Sequence, residues 1–127
     1  MAAPLACAES AASGEAAAGR PVLVLLHPGG MRGGAWAPFG RCWGADFRIL
    51  VPDLEPGRSA SVRSYADAVG ELLERRAAGP AHVVGASLGA NVALQLAAAA
   101  PGLVASLVLD SAQAGGPPSR ALAGLAG

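Results

Sequence analysis

The sequence predicts an α/β fold, a parallel sheet of about four to five strands sandwiched between two helical layers. Three observations predict it. Short runs rich in Val, Leu and Ile alternate with segments of helical period along most of the chain. Four short strand-type runs fall at 21–26, 47–51, 82–84 and 104–109, and the first is apolar at every position, the habit of a strand covered on both faces. Each run ends in glycine, proline or a polar residue, which places the chemistry-bearing residues together beyond the carboxyl ends of the strands.

Taken in order, residues 1–20 are a flexible, Ala-rich lead-in, with a short edge strand expected at 5–9, and residues 21–127 form the domain. The run at 21–26 is the strongest strand signal and stops at His27-Pro28-Gly29-Gly30. A helix is expected from about Ala35 or Pro38 through Trp43. Strand 47–51 closes on Pro52-Asp53, with Asp53 read as a structural loop acid. In the next segment Val62, Tyr65, Val69, Leu72 and Leu73 recur at helical spacing, so a helix is expected over 61–78, stopped by Gly79-Pro80. Strand 82–84 leads through Gly85–Gly89 into a helix that Pro101-Gly102 ends. Run 104–109 makes a fourth core strand ending at Asp110. Beyond it Gly115-Gly116-Pro117-Pro118 breaks the chain before a terminal helical turn.

Composition excludes several classes of function. The chain has 127 residues, of which 53% are hydrophobic, enough for a real core. Nine basic residues balance nine acidic ones, all nine are arginine, and they are scattered; no basic surface for nucleic acid forms. The absence of lysine excludes a Walker-type phosphate loop and Schiff-base chemistry. After the first strong strand the glycines fall at 29, 30, 33 and 34, which does not give G-x-G-x-x-G, so a dinucleotide site is not expected. Cys7 and Cys42 have neither C-x-x-C nor metal spacing and are read as free thiols, which suits a cytoplasmic protein. Neither a signal peptide nor a membrane span is expected, nor any metal or cofactor.

Gly85-Ala86-Ser87-Leu88-Gly89 fits G-x-S-x-G, with a strand before it and a helix after it. The spacing suits a sharp strand-to-helix turn that exposes a serine, with glycines where a side chain would strike neighbouring backbone. The competing reading is a tight turn with an incidental serine.

In several places and in the right order, the chain resembles the α/β-hydrolase family. Val22–Leu26 with His27-Pro28-Gly29-Gly30 is similar to its third strand and oxyanion loop. Trp36 falls where many members carry a tryptophan, and Val51-Pro52-Asp53-Leu54 with Pro56-Gly57-Arg58-Ser59 resembles a family loop. Gly85–Gly89 and Leu107-Val108-Leu109-Asp110 complete the match. The resemblance implies an incomplete α/β-hydrolase core, limited to the family's N-terminal part and cut after its sixth strand. It gives Ser87 the role of nucleophile, and makes Asp110 the only downstream acid available. The Leu88 N–H would form an oxyanion hole with that of Gly29 or Gly30, while His27 and Ala86 would lie on the substrate-binding side. Pro28 and Ala86 depart from the usual family residues without removing a chemical function.

A serine hydroxyl needs a base, and in this family the acid and then the histidine follow the serine. No histidine follows Ser87. His27 belongs to the oxyanion loop, and His82 lies about 16 Å back along its strand, too far to reach the hydroxyl. Two readings therefore stay open. One is a serine hydrolase of small ester or acyl substrates by ancestry; the other is a non-catalytic truncated product or pseudoenzyme that binds a small ligand or a partner chain. Strand 104–109 would be left at a sheet edge, which invites self-association.

Overall fold

The computed structural model describes residues 5–9, 19–56 and 61–112. Most of the lead-in, loop positions 57–60, and the break and terminal turn expected after 112 lie outside the described residues. The elements are β1 (Cys7–Glu9), β2 (Val22–Leu26), a 3-10 turn (Gly33–Trp36), α1 (Ala37–Trp43), β3 (Arg48–Pro52), α2 (Val62–Arg75), β4 (Ala81–Ala86), α3 (Leu88–Ala99), a second 3-10 turn (Pro101–Leu103) and β5 (Val104–Asp110). The strands form one sheet in the order β1-β3-β2-β4-β5. β2, β3, β4 and β5 run parallel, and β1 pairs antiparallel to β3.

The pleat of β2 explains its unbroken apolar run. Val24 and Leu26 turn to one face, where α2 and α3 pack with Leu50, Val69, Leu73, Val83, Val92 and Leu96. Leu23 and Leu25 turn to the other, where they meet Ile49 beneath Trp36 and Trp43. That second layer is thin. α1 buries none of its own residues, and it is held by an aromatic row in which Phe39 lies 5.2 Å from Trp36 and 5.1 Å from Trp43 between ring centroids.

One expectation needs correction. The helix expected over 61–78 ends at Arg75, because Ala77 takes φ 50 and turns the backbone out of the helix. β5, the run at 104–109, is the last strand of the described sheet. Leu107 and Leu109 pack toward α3, but Ser106, Val108 and Asp110 lie on the α1 side, where no described element covers them, and Val108 is 60% exposed. α1 is short and sits over β2 and β3, so among the described residues nothing covers half of that run.

Among the described residues no helix is long and apolar enough to cross a membrane.

Candidate functional site

Because β2, β4 and β5 are parallel and in register, their carboxyl ends form one rim. Leu26 pairs with Gly85, and Ala86 with Asp110. Ser87 follows directly on β4 and caps α3 with φ 53 and ψ −113, which leaves the residue exposed at the corner. Its N–H donates to the Asp110 carbonyl at 2.8 Å, and its own carbonyl accepts from Ala90 and Asn91 at 3.0 and 3.1 Å. The corner is thus anchored to β5 on one side and to the first turn of α3 on the other.

The glycines of the motif are required sterically. A Cβ on Gly85 would run into the Gly89 carbonyl, and one on Gly89 would run into the carbonyl of Leu26. The first turn of α3 therefore lies directly over the end of β2, which a side chain at either position would forbid. The loop after β2 also comes close. A Cβ on Gly29 would meet the Leu88 side chain at 3.5 Å, so this loop borders the start of α3. Gly30, beside it, has φ 78 and is exposed. The Leu88 amide is the first of α3 and has no carbonyl four residues back within the helix to receive it.

His27 is 1% exposed and both its ring nitrogens are engaged. Nε2 accepts the Leu54 N–H at 2.8 Å, so the proton sits on Nδ1, which donates to the Pro28 carbonyl at 2.7 Å. This ring fastens the loop after β2 to the loop after β3. It has no nitrogen left for a bound molecule, so the expectation that His27 faces a substrate does not fit its burial and its two bonds. Asp53 makes a second fastening, its Oδ1 accepting the Gly33 N–H at 2.8 Å. A Cβ on Gly33 would lie 2.9 Å from that oxygen, so a side chain there would push the loop away.

Asp110 stands beside Ser87 in the sheet but touches it only through the backbone; its Oδ1 accepts from Ser111 Oγ at 3.1 Å. Ala86 is half-buried on the α1 side of β4. His82 lies toward the amino end of β4, bonded through Nδ1 to Ser106 Oγ at 2.7 Å and edge-on to Phe47. The structure thus brings Ser87, Leu88, Gly29 and Asp110 to one rim and leaves both histidines away from the serine hydroxyl. Sequence reasoning missed the part played by Gly33 and by the Leu54 amide. Nothing separates Gly33 from its neighbouring glycines in the sequence, and the partners of these ties are 20 and 27 residues away.

A cavity of about 440 Å³ lies elsewhere, between α1 and the β1–β3 edge, lined by Glu9, Gly33, Trp36, Gly40, Ile49 and Val51. None of the rim residues Ser87, Gly29 or Asp110 lines it. Among the described residues no group of three or more His, Cys, Asp or Glu is placed to hold a metal ion.

Comparison with known proteins agrees with this architecture. Residues 23–127 match the model of the alpha/beta hydrolase family. The pimeloyl-[acyl-carrier protein] methyl ester esterase of Methylococcus capsulatus is 45% identical over 96 residues, covering 70% of this chain and 36% of that protein. Its Chromobacterium violaceum counterpart is 41% identical over 92 residues, with the same coverage of 70% and 36%. Among solved structures, a hydrolase from Pseudomonas aeruginosa superposes with a TM-score of 0.75 at 28% identity, over 91% of this chain and 44% of that one. The N-acyl homoserine lactonase AidH, complexed with N-butanoyl homoserine, gives 0.71 at 27% identity, over 84% and 40%. The chain belongs to the alpha/beta hydrolase family. It spans about a third of the length of the esterases it matches, 36% in both cases.

Proposed function

We propose that this chain carries the nucleophile and oxyanion half of a serine-hydrolase site for small ester or acyl substrates. The observation that carries the reading is Ser87, exposed at a left-handed corner that the contacts of Gly85 and Gly89 impose, with the loop of Gly29 against the start of α3. In this reading Ser87 Oγ attacks the ester carbonyl carbon while the carbonyl oxygen gains negative charge. The Leu88 N–H and that of Gly29, or of Gly30, receive the oxyanion. The dipole of α3 favours charge at that position, and one such donor is worth about 2.7–4 kcal/mol of transition-state stabilisation. Asp110 supplies the carboxylate of the rim. The names of the esterase relatives point to a methyl ester of an acyl chain as a natural first substrate to try.

The proton of Ser87 is the unsolved step. A base must take it for attack to be efficient, yet His27 is buried with both nitrogens engaged and His82 is bonded to Ser106. Those commitments favour a second reading, in which the rim binds a small acyl ligand without turning it over. Without a base, the oxyanion hole and binding alone typically give an acceleration of about 10³–10⁴ over water.

One experiment separates the two readings. The purified chain is treated with a fluorophosphonate probe and, separately, with a short p-nitrophenyl ester, beside Ser87→Ala. Labelling and slow turnover that vanish in the variant are expected for the enzyme reading. Neither signal above background would leave the binding reading standing.

A further inference from the structure

The peptide that joins Pro28 to Gly29 is fixed in direction by what its carbonyl accepts. His27 Nδ1 donates to the Pro28 carbonyl at 2.7 Å and the Met31 N–H donates to it at 3.2 Å, so both lone pairs of that oxygen are taken. The ring itself is set from behind, because the Leu54 N–H on Nε2 at 2.8 Å keeps the ring proton on Nδ1, where it serves Pro28. Leu54 is 3% exposed and packs in the core, which anchors this end of the tie.

The Pro28–Gly29 peptide is trans, and a trans peptide points its N–H opposite to its carbonyl. The carbonyl is turned onto a ring that is buried, so the Gly29 N–H is turned outward, at an exposed residue that borders Leu88. That N–H has no hydrogen-bond partner among the described residues. The next peptide is held less firmly. Residues 28–31 form a turn closed by the Met31 N–H, with φ 78 at Gly30, and among the described residues neither the Gly29 carbonyl nor the Gly30 N–H is bonded. A flip of this middle peptide breaks no bond, whereas a flip of the Pro28–Gly29 peptide breaks two. An oxyanion hole works through donors aimed before the reaction begins, and of the two amides that of Gly29 meets this condition.

We infer, building on the serine-hydrolase reading above, that His27 is a positioning residue: through the Pro28 carbonyl it aims the Gly29 N–H, and not that of Gly30, at the oxygen that gains charge when Ser87 attacks. The buried ring touches no substrate and moves no proton, yet the direction of one donor depends on it. Leu54 takes part at one remove, by fixing which nitrogen carries the proton.

Two substitutions at one position separate aiming from mere support, because each keeps one of the two ring bonds. In His27→Asn the amide nitrogen hangs from Cγ, as Nδ1 does, so it can donate to Pro28 while nothing reaches Leu54. In His27→Gln the amide oxygen reaches as far as Nε2 and can accept from Leu54, while the donor to Pro28 is lost. The purified chain and both variants are treated with the fluorophosphonate probe, whose phosphorus bonds to Ser87 Oγ as fluoride leaves and the hydroxyl proton passes to water. Labelling rate and melting temperature are read for each. Misplacing a group at a reacting centre costs about 10²-fold in rate, so His27→Gln should label slower than the native chain by about that factor. His27→Asn should recover most of the loss, whatever the order of the melting temperatures. Amide spectra of the labelled native chain give a second reading that needs no substitution at His27. The phosphonyl oxygen stands in for the oxyanion, so the Gly29 and Leu88 amide protons should move to lower field and that of Gly30 should stay. Equal slowing in both variants, slower labelling of His27→Asn, or a shift at Gly30 in place of Gly29 would overturn the inference alone. No labelling of the native chain would overturn the serine-hydrolase reading and this inference with it.

Discussion

Ser87 holds φ 53 and ψ −113, a backbone region that costs an L-residue about 1–3 kcal/mol. The surrounding contacts impose it: the Ser87 N–H is tied to β5, and the Gly85 and Gly89 contacts leave no room to relax. Ser87→Ala removes the hydroxyl and keeps this strain. Ser87→Gly removes the hydroxyl and relieves it, offset in part by the extra freedom of glycine in the unfolded chain, worth about 0.5–1 kcal/mol. Ser87→Gly is therefore expected to be more stable than Ser87→Ala by about 1 kcal/mol, read by urea denaturation. Equal stabilities would show that the corner carries no strain of its own.

At the scale of elements, α2 is closed at both ends by identifiable devices. Ser61 and Ser64 form a reciprocal capping box at its start, with bonds of 3.0 and 2.8 Å. At its end the Ala78 N–H reaches the Leu73 carbonyl and the Ala77 N–H reaches that of Glu74, a Schellman motif with alanine in the left-handed position. Glycine suits that position better. Ala77→Gly should raise stability by about 0.5–1 kcal/mol, and a lower melting temperature would contradict the assignment. β1 is held by charge. Partial burial raises the pKa of Glu9, but hydrogen bonds and attraction from Arg48 and Arg76 outweigh it, so its carboxyl lies below the usual glutamate value. A folded-state pKa depressed in this way stabilises the protein above the unfolded value, and the contribution fades as pH falls through the folded one. The melting-temperature gap between the native chain and Glu9→Gln should be widest near neutral pH and close on acidification below the glutamate range. A gap independent of pH would rule out the ion cluster as its source.

These elements also show what was legible in the sequence. β2 and the Gly85–Gly89 corner were legible because their patterns are local: one strand covered on both faces, and two glycines set by contacts that any such turn would make. The end of α2 was not, since helical periodicity continues past Arg75 and only the backbone turn at Ala77 stops it. The 3-10 turn before α1 was hidden among glycines. At the candidate site the serine and its helix could be read directly. The ties of His27 to Leu54 and of Asp53 to Gly33 depend on how two loops meet, which no local pattern encodes.

The described part of the molecule is lopsided, and this asymmetry decides where it should open first. α2 and α3 cover one face of the sheet with a cluster that includes fully buried Val24, Leu26, Leu50, Val69, Leu73, Val92 and Ala93, all 0% exposed. Among the described residues the opposite face has only α1, which buries none of its residues and does not reach over β5. β2 and β4 are each bonded on both sides within the sheet, whereas β1 and β5 are bonded on one. Backbone amides that lie under the α2–α3 layer and inside the sheet can exchange only through large opening events; those of α1 and the edges exchange through small ones. Hydrogen exchange should protect Val24, Leu25, Val83 and Val84 most. The amides of α1, and Leu107 and Leu109 on the open side of β5, should exchange early. Early exchange of the β2 amides, alongside those of α1, would show that the thin layer and not the thick one governs the stability of the sheet.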